Sequence, residues 1–255
     1  MSMPVVFIGH GSPMNAIEEN DFTRAWQQIA GRIGKPAAIL CISAHWYTDG
    51  LRVSDDPNPR MIYDMVGFPK ELYDLQYPAP GAPDVARGAA ALLSPTVRVD
   101  NNWGIDHGAW SVLCRMYPEA DIPVCQLSVD RSADAQRQFD VGRQLRSLRE
   151  EGVLILGSGN VVHNLARIRF DEPGGFAWAQ EFDDYVHDSI LRRDFDAVVD
   201  HRRAGSSAAL AFPTPDHYYP LLSILGAANE DDEIAVYSRQ CFAGSLSMTS
   251  YVFGS

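Results

Sequence analysis

The feature that most limits the fold of this 255-residue sequence is the alternation of short apolar runs with amphipathic helical segments. Runs such as PVVFI, AAILCIS and VLILG lack polar alternation, which is typical of strands buried on both faces. The predicted strands cover residues 4–8, 37–43, 96–99, 123–129, 153–157, 234–238 and 245–253. The predicted helices cover residues 21–31, 83–93, 107–117, 134–150, 177–192, 195–203 and 216–226. Residues 49–82 carry much Pro, Gly and Tyr without a clear period, so we expect a loop there.

This order of elements predicts an α/β protein, a three-layer α/β/α sandwich around a mostly parallel or mixed sheet. Neither an internal repeat nor a linker-like run divides the chain, so we expect one catalytic domain over residues 1–255. In sheets of this kind the ligand crevice lies outside the carboxyl ends of the strands. The loops that follow the strands are therefore the first place to look for chemistry.

The charge balance argues against two classes of partner. The chain has 33 acidic and 21 basic residues, a formal net charge of −12. Binding to nucleic acid or to an anionic membrane requires clustered Lys and Arg. We therefore expect neither nucleic acid nor a membrane as a partner. The sequence carries no signal of the oligomeric state.

The N-terminus and the cysteines both favour a cytoplasmic protein. The first residues, MSMPVVFIGHGSP, have no basic region, and their apolar run is short and broken by Gly. No stretch approaches the roughly 20 apolar residues that span a bilayer. The four cysteines are not arranged as CxxC pairs, which indicates reduced and mostly buried thiols.

Three histidines fall where predicted strands end. His10 follows VVFIG, His45 follows AILCISA, and His163 comes a few residues after VLILG. If these strands are parallel neighbours, the three side chains can converge on one crevice. Neutral imidazole suits Fe(II), Zn, Cu and Ni, and an unligated histidine can transfer protons near neutral pH.

The other histidines divide into two groups. His107 in DHGAW and His217 in TPDHYYP stand at predicted helix starts, where they can reach the same crevice. His187 and His201 lie on polar helical faces, and we expect them at the surface.

Two competing motifs are weak. GSGNVV at 157–162 lacks the third glycine of a dinucleotide-binding loop. Ser12 and Ser158 are flanked by glycines, but neither fits the GxSxG pattern of a serine hydrolase.

Eight segments occurring in order resemble one family over nearly the whole chain. They are GHGSPMNA, SAHWYT, FPKELYDLQYPAPG, WGIDHGAW, ADIPVCQLSVD, GSGNVVHNL, TPDHYYPLL and GSLSMTS. Together they resemble the DOPA-dioxygenase-type extradiol ring-opening dioxygenases of the class III superfamily. The resemblance is weakest over residues 165–212, where only helical character is shared.

The resemblance implies cleavage of a catechol ring beside its hydroxyls, with insertion of both atoms of O2. It places the metal ligands at His10, His45 and His217, with Asp216 next to the last of them. His163 would be the acid/base residue and could also ligate the metal. His107 would line the pocket as a second catalytic residue able to hydrogen-bond bound oxygen.

The resemblance implies Fe(II) as the working cofactor. Zn(II) can occupy the same histidines in the isolated protein, but it has no redox chemistry. Two alternatives stay open at this point. One is a zinc-dependent hydrolase that uses the same histidines to activate water. The other is a non-catalytic metal-binding protein on the same scaffold. For Trp46 and Tyr218, each beside a proposed ligand, we favour core packing over a pocket role.

Overall fold

The computed structural model describes residues 2–254, and its main feature is an eight-stranded mixed sheet. The strands of the chain are β1 Val5–Gly9, β2 Ala38–Thr48, β3 Leu51–Val53, β4 Val97–Val99, β5 Val124–Asp130, β6 Val153–Gly159, β7 Ile234–Tyr237, β8 Cys241–Phe242, β9 Leu246–Ser247 and β10 Ser250–Phe253. The order in the main sheet is β4-β3-β5-β2-β6-β1-β10-β7, while β8 and β9 form a small separate pair. The predicted domain of residues 1–255 includes Met1 and Ser255, which lie outside the described residues.

The four central strands, β5, β2, β6 and β1, run parallel, so their carboxyl ends meet at one edge. Gly9 pairs with Gly159, and Ser43 pairs with Ser158, which brings the ends of three strands to one level. Strand β10 pairs antiparallel with β1, and β7 pairs antiparallel with β10. Strand β3 is antiparallel to β5. The predicted mixed α/β architecture is confirmed.

Helices cover both faces of the sheet. They are α1 Asp21–Ile33, α2 Lys70–Asp74, α3 Pro83–Leu92, α4 His107–Met116, α5 Ala135–Leu145, α6 Ala177–Leu191, α7 Phe195–Val199, α8 Ala208–Ala211 and α9 Tyr219–Ala227. The core forms two clusters, because strand side chains alternate between faces. In β1, Val5 and Phe7 join the cluster that contains α3, α5, α6 and α9. Val6 and Ile8 join the cluster that contains α1, α2 and α4.

The structure corrects several predicted boundaries. The helix predicted over residues 134–150 ends at Leu145 and tightens into a 3-10 turn, Arg146–Glu151, which stops at left-handed Gly152. The predicted loop 49–82 contains β3 and α2. The strand predicted over 245–253 breaks into β9 and β10, and residues 195–203 divide into α7 and a 3-10 turn. Each break falls at a turn too short to disturb the apolar pattern.

Two further corrections concern histidines. His187 was expected at the surface, but its side chain is buried because α6 packs it against Tyr251 of β10, with ring centroids 6.3 Å apart. His201 is only half-buried and contacts Phe212 and Tyr218. The cysteines are free thiols as predicted, three buried and Cys114 half-buried. Among residues 2–254, no helix combines the length and apolar character that crossing a membrane requires.

Candidate active site

Five histidines meet at the carboxyl edge of the central strands. His10 follows β1, and its ring centroid lies 5.1 Å from that of His45 and 5.2 Å from that of His217. The ring of His107 lies 3.8 Å from His45, and that of His163 stacks on His217 at 3.4 Å. All five histidines that the sequence singled out therefore come together, while His187 and His201 lie elsewhere.

His45 reaches the site from within a strand, not from the loop predicted after it. Strand β2 continues to Thr48, and its pairing with β5 shifts register between Ile42 and Tyr47. A shift of this kind bends a strand and re-aims its side chains, and is common beside active sites. The irregularity places His45 at the site edge while Trp46 stays buried.

Glycines at the strand ends let the backbone come close. Gly11 has φ +60°, a left-handed conformation that favours glycine, so the turn after His10 is confirmed as a sharp one. Gly9 has a different reason to be glycine, since a Cβ there would lie 2.6 Å from the backbone of Met248. A Cβ on Gly159 would lie 2.1 Å from the carbonyl oxygen of His217, which the amide of Asn160 binds at 2.9 Å.

The hydrogen bonds of three histidines fix their protons on Nδ1. Ser158 Oγ donates to the Gly108 carbonyl at 2.5 Å, so it must accept from His10 Nδ1, 2.9 Å away. Asp216 Oδ2 accepts from His217 Nδ1 at 2.5 Å. Asp64 Oδ2 lies 3.1 Å from His45 Nδ1, where a carboxylate can only accept.

With Nδ1 protonated, each of the three rings turns an Nε2 lone pair toward the same point. His10 Nε2 and His45 Nε2 are 3.3 Å apart, and the buried His217 Nε2 has no hydrogen-bond partner within the described chain. Facing lone pairs repel unless a cation lies between them. The ligand atoms of His10, His45 and His217 all lie within 4.8 Å of one another, and the 3.3 Å between the Nε2 atoms of His10 and His45 is the separation that two bonds of about 2.0–2.1 Å to one tetrahedral ion give. The residues present therefore fit a metal ion.

Burial favours the neutral form, which ligates metals, in two of the three imidazoles. Burial, followed by repulsion from neighbouring histidines, holds the pKa of His10 and of His217 well below 6.5. For His45 burial acts in the same direction, but Asp64 and the more distant carboxylates outweigh it and raise the pKa.

His163 is placed differently from these three. Its nitrogens are not part of the converging ligand group, and it lies at the cavity wall against His217. Burial lowers the pKa of His163 to about 4, so the side chain is neutral at pH 7. Its backbone amide donates to the Ala211 carbonyl at 2.8 Å, which fixes the segment.

Sequence reasoning missed Asp64. It lies in the loop predicted over 49–82, and its Oδ1 is 3.0 Å from His107 Nδ1 and accepts from the His107 amide at 2.9 Å. Burial alone would raise the pKa of Asp64, but contacts with His107 and His45 outweigh this and hold it well below its usual range. Asp64, His45 and His107 form a second group with metal-ligand spacing. An aspartate in a polar loop gives no local signal of this role.

A second carboxylate fixes the start of the helix that carries His107. Asp106, fully buried, caps α4 by accepting from the Ala109 amide at 3.2 Å and also accepts from Ser43 Oγ at 2.6 Å and Gln126 Nε2 at 2.8 Å. These bonds tie the start of the His107 helix to β2 and β5. The helix position of His107 follows from that cap.

The histidines form one end of a cavity of about 500 Å³. Trp46 and Tyr218 do not line this cavity, in agreement with the core packing that we favoured for them. Trp46 stacks on Trp103, and the buried Tyr218 hydroxyl donates to the Val198 carbonyl at 2.8 Å.

Residues 4–254 match the family model described as the catalytic LigB subunit of aromatic ring-opening dioxygenase. The chain belongs to the LigB family. The predicted extradiol ring-opening dioxygenase class is thereby confirmed, and with it an enzyme of a metal-dependent family that acts on aromatic compounds with O2.

Known relatives agree over nearly the full length. The protein named 4,5-DOPA dioxygenase extradiol of Escherichia coli (strain K12) is 42% identical over 99% of this chain and 95% of that protein. The Beta vulgaris protein of the same name is 39% identical over 98% and 96%. A crystal structure titled as an uncharacterized protein from Escherichia coli K12 matches with a TM-score of 0.86, at 40% identity over 99% of this chain and all of that one.

Proposed function

We propose that this LigB-family chain, acting as one catalytic domain, is an Fe(II)-dependent dioxygenase that cleaves a catechol ring beside its hydroxyls. Both atoms of O2 enter the product, one ring C–C bond breaks, and the ring opens to an aldehyde and a carboxylate. The observation that carries the proposal is the convergence of three Nε2 lone pairs at the end of a cavity.

His10, His45 and His217 would hold the metal, each oriented through Nδ1 by Ser158, Asp64 or Asp216. Such partners fix ring orientation and raise ligand basicity. Bound Fe(II) would pass electron density from catechol to O2, which Zn(II) cannot do because it has no redox chemistry. Membership of a family of ring-opening dioxygenases favours a dioxygenase over a zinc hydrolase.

His163 would act as the acid/base residue. It is neutral at pH 7, lines the cavity and stacks on His217, so it can take a proton from a catechol hydroxyl and return it later. His107 is held by Asp64 beside His45 in the cavity wall, where it would hydrogen-bond bound oxygen.

Anaerobic loading with Fe(II), followed by catechol and then O2, tests the reaction. We expect stoichiometric O2 uptake and a yellow semialdehyde product, and no uptake with Zn(II) alone. Absence of O2 uptake with a range of catechols in fully iron-loaded protein would show that the proposal is wrong. Hydrolysis by the Zn(II) form would instead favour the hydrolase alternative.

The ligand assignment has its own test. Replacing His10 or His45 by Ala should abolish metal binding measured by elemental analysis, because each removes one converging nitrogen. His201→Ala, at a half-buried histidine outside the site, is the matched control and should bind metal normally. Full metal occupancy in His10→Ala would refute the assignment.

A further inference from the structure

The cavity beyond the histidines has apolar walls. Four segments supply them, and the side chains used in this argument are Met14, Met65, Val66, Leu165, Phe170 and Phe242. The volume of about 500 Å³ lies within the range of small-molecule sites. A catechol bound at the histidines would leave the ring substituent against these side chains.

The mouth of the cavity is unusually apolar for a protein surface. Val66 is 89% exposed, Phe170 78% and Leu165 58%, and all three lie at this one cavity. They are half of the large apolar side chains that are exposed within residues 2–254. Clustering of exposed apolar residues marks a binding surface, whereas single ones need no explanation.

The same cavity offers no cation to a charged substituent. Within the described chain no Lys or Arg belongs to its wall, and its one carboxylate, Asp64, is held by His45 and His107. Arg169 follows the Leu165 segment but forms an exposed ion pair with Asp171 at 2.8 Å. Arg167 is exposed and lies outside the wall. A substrate carboxylate placed here would lose water without gaining a Lys or Arg partner.

We propose that the substrate is a catechol whose ring substituent is neutral and apolar, and that Val66, Leu165 and Phe170 determine this preference. The inference rests on the proposed ring cleavage, since it assumes that the catechol oxygens face the histidines. The preference excludes an amino-acid or carboxylate side chain as the best substituent.

A matched pair of catechols tests the preference, because 4-propylcatechol and 3-(3,4-dihydroxyphenyl)propionate differ at the end of the side chain. In the Fe(II)-loaded enzyme we expect kcat/KM to favour 4-propylcatechol by at least about 10-fold, and to rise further with chain length. DOPA should resemble the propionate. A preference for the propionate or DOPA would overturn the inference while leaving ring cleavage intact.

Binding to the Zn(II)-loaded protein, measured by calorimetry, separates the two proposals. Each added methylene of a 4-alkylcatechol should tighten binding by about 3- to 4-fold, and Phe170→Ala should weaken this trend. If the trend is found but no catechol is cleaved, ring cleavage is wrong and the apolar preference stands. A flat series would overturn the preference whatever the activity.

Adding a positive charge at the mouth of the cavity tests whether the residues there set the substrate preference. Val66→Arg should shift the kcat/KM ratio toward the propionate by about 10-fold, while Val99→Arg, at an exposed valine of β4, should leave the ratio unchanged. Arg167→Ala should also leave it unchanged. Selective loss of propionate or DOPA turnover in Arg167→Ala would show that the enzyme recognises a carboxylate, against the inference.

Discussion

At the scale of single residues, a serine hydroxyl decides how the first ligand is presented. Ser158 Oγ stands between the Gly108 carbonyl and His10 Nδ1, and its own donation leaves it only able to accept from the ring. The proton on Nδ1 keeps the Nε2 lone pair free. A single hydroxyl in a buried strand thus sets the tautomer of a proposed metal ligand.

Removing that hydroxyl should weaken metal binding. Ser158→Ala leaves His10 free to rotate and to change tautomer, so we expect metal affinity to fall about 10- to 100-fold, measured by competition with a chelator. Ser111→Ala is a matched control, because Ser111 is equally buried and its hydroxyl has no hydrogen-bond partner in the described structure. Equal affinities in the two variants would contradict this role.

What the sequence revealed about the site follows from where each residue lies in the chain. His10 and His163 follow apolar runs, and the geometry of a parallel sheet brings such ends together. Asp64 and Ser158 could not be found in this way, since one lies in an irregular loop and the other within a buried strand. Their partners come from distant segments that only the folded chain brings near.

At the scale of elements, the site depends on close approach between strand β6 and the 3-10 turn Pro215–His217. The turn carries His217, and its carbonyl occupies the space that a side chain on Gly159 would need. The apolar run predicted β6 correctly, but this tertiary contact leaves no periodic signal. Glycine occurs at the end of a strand for many other reasons.

Gly159→Ala should therefore damage both stability and metal binding. The added methyl would lie 2.1 Å from the His217 carbonyl, so we expect a loss of about 1–3 kcal/mol in urea unfolding and weaker metal binding. Gly31→Ala is the control, because nothing lies within 4 Å of its Cβ position in α1. That variant should gain about 0.5–1 kcal/mol. Unchanged metal affinity in Gly159→Ala would argue against the proposed contact.

Helix α6 holds a buried carboxylate against strand β9 and the residues that follow it. Asp183 is 4% exposed and accepts hydrogen bonds from Ser247 Oγ at 2.5 Å and Thr249 Oγ1 at 3.0 Å. Burial raises the pKa of Asp183 above 3.8, and the two hydroxyls offset this only in part. The folded state therefore holds its proton to higher pH than the unfolded state.

The sign of the pH effect follows from that shift. As pH rises from 3.8 through the raised pKa of Asp183, the unfolded chain releases its proton first, so stability falls. The free energy of unfolding of Asp183→Asn, relative to the native chain, should accordingly increase from pH 4 to pH 7. Asp184→Asn removes the same charge at an exposed neighbour and should show a smaller change. An opposite slope for Asp183→Asn would refute the raised pKa.

At the scale of the whole molecule, one buried ion pair connects segments that are far apart in the sequence. Arg149 forms two bonds of 2.8 Å with Asp232, and their side chains are 1% and 7% exposed. Arg149 also donates to the Met3 carbonyl at 2.7 Å, beside β1, and to the Ala227 carbonyl at 3.0 Å, at the end of α9. The pair thus connects the entry of the first strand to the segment that leads into β7.

The sequence predicted the layers of this fold because strand and helix periods are local. It predicted one continuous helix over residues 134–150, and the 3-10 turn that buries Arg149 was missed. The choice of Asp232 as partner depends on a separation of 83 residues, which no local pattern encodes.

Breaking the pair from one side should be costly. Arg149→Met leaves the carboxylate of Asp232 buried without its cation, and we expect a loss of about 3–5 kcal/mol in urea unfolding. The double variant Arg149→Met with Asp232→Leu removes both charges and should recover part of this loss, because the uncompensated charge is gone. Asp184→Asn, which breaks an exposed pair with Arg239, should cost at most about 1 kcal/mol. A double variant whose loss equals the sum of the two single losses would show that the pair does not act as one unit.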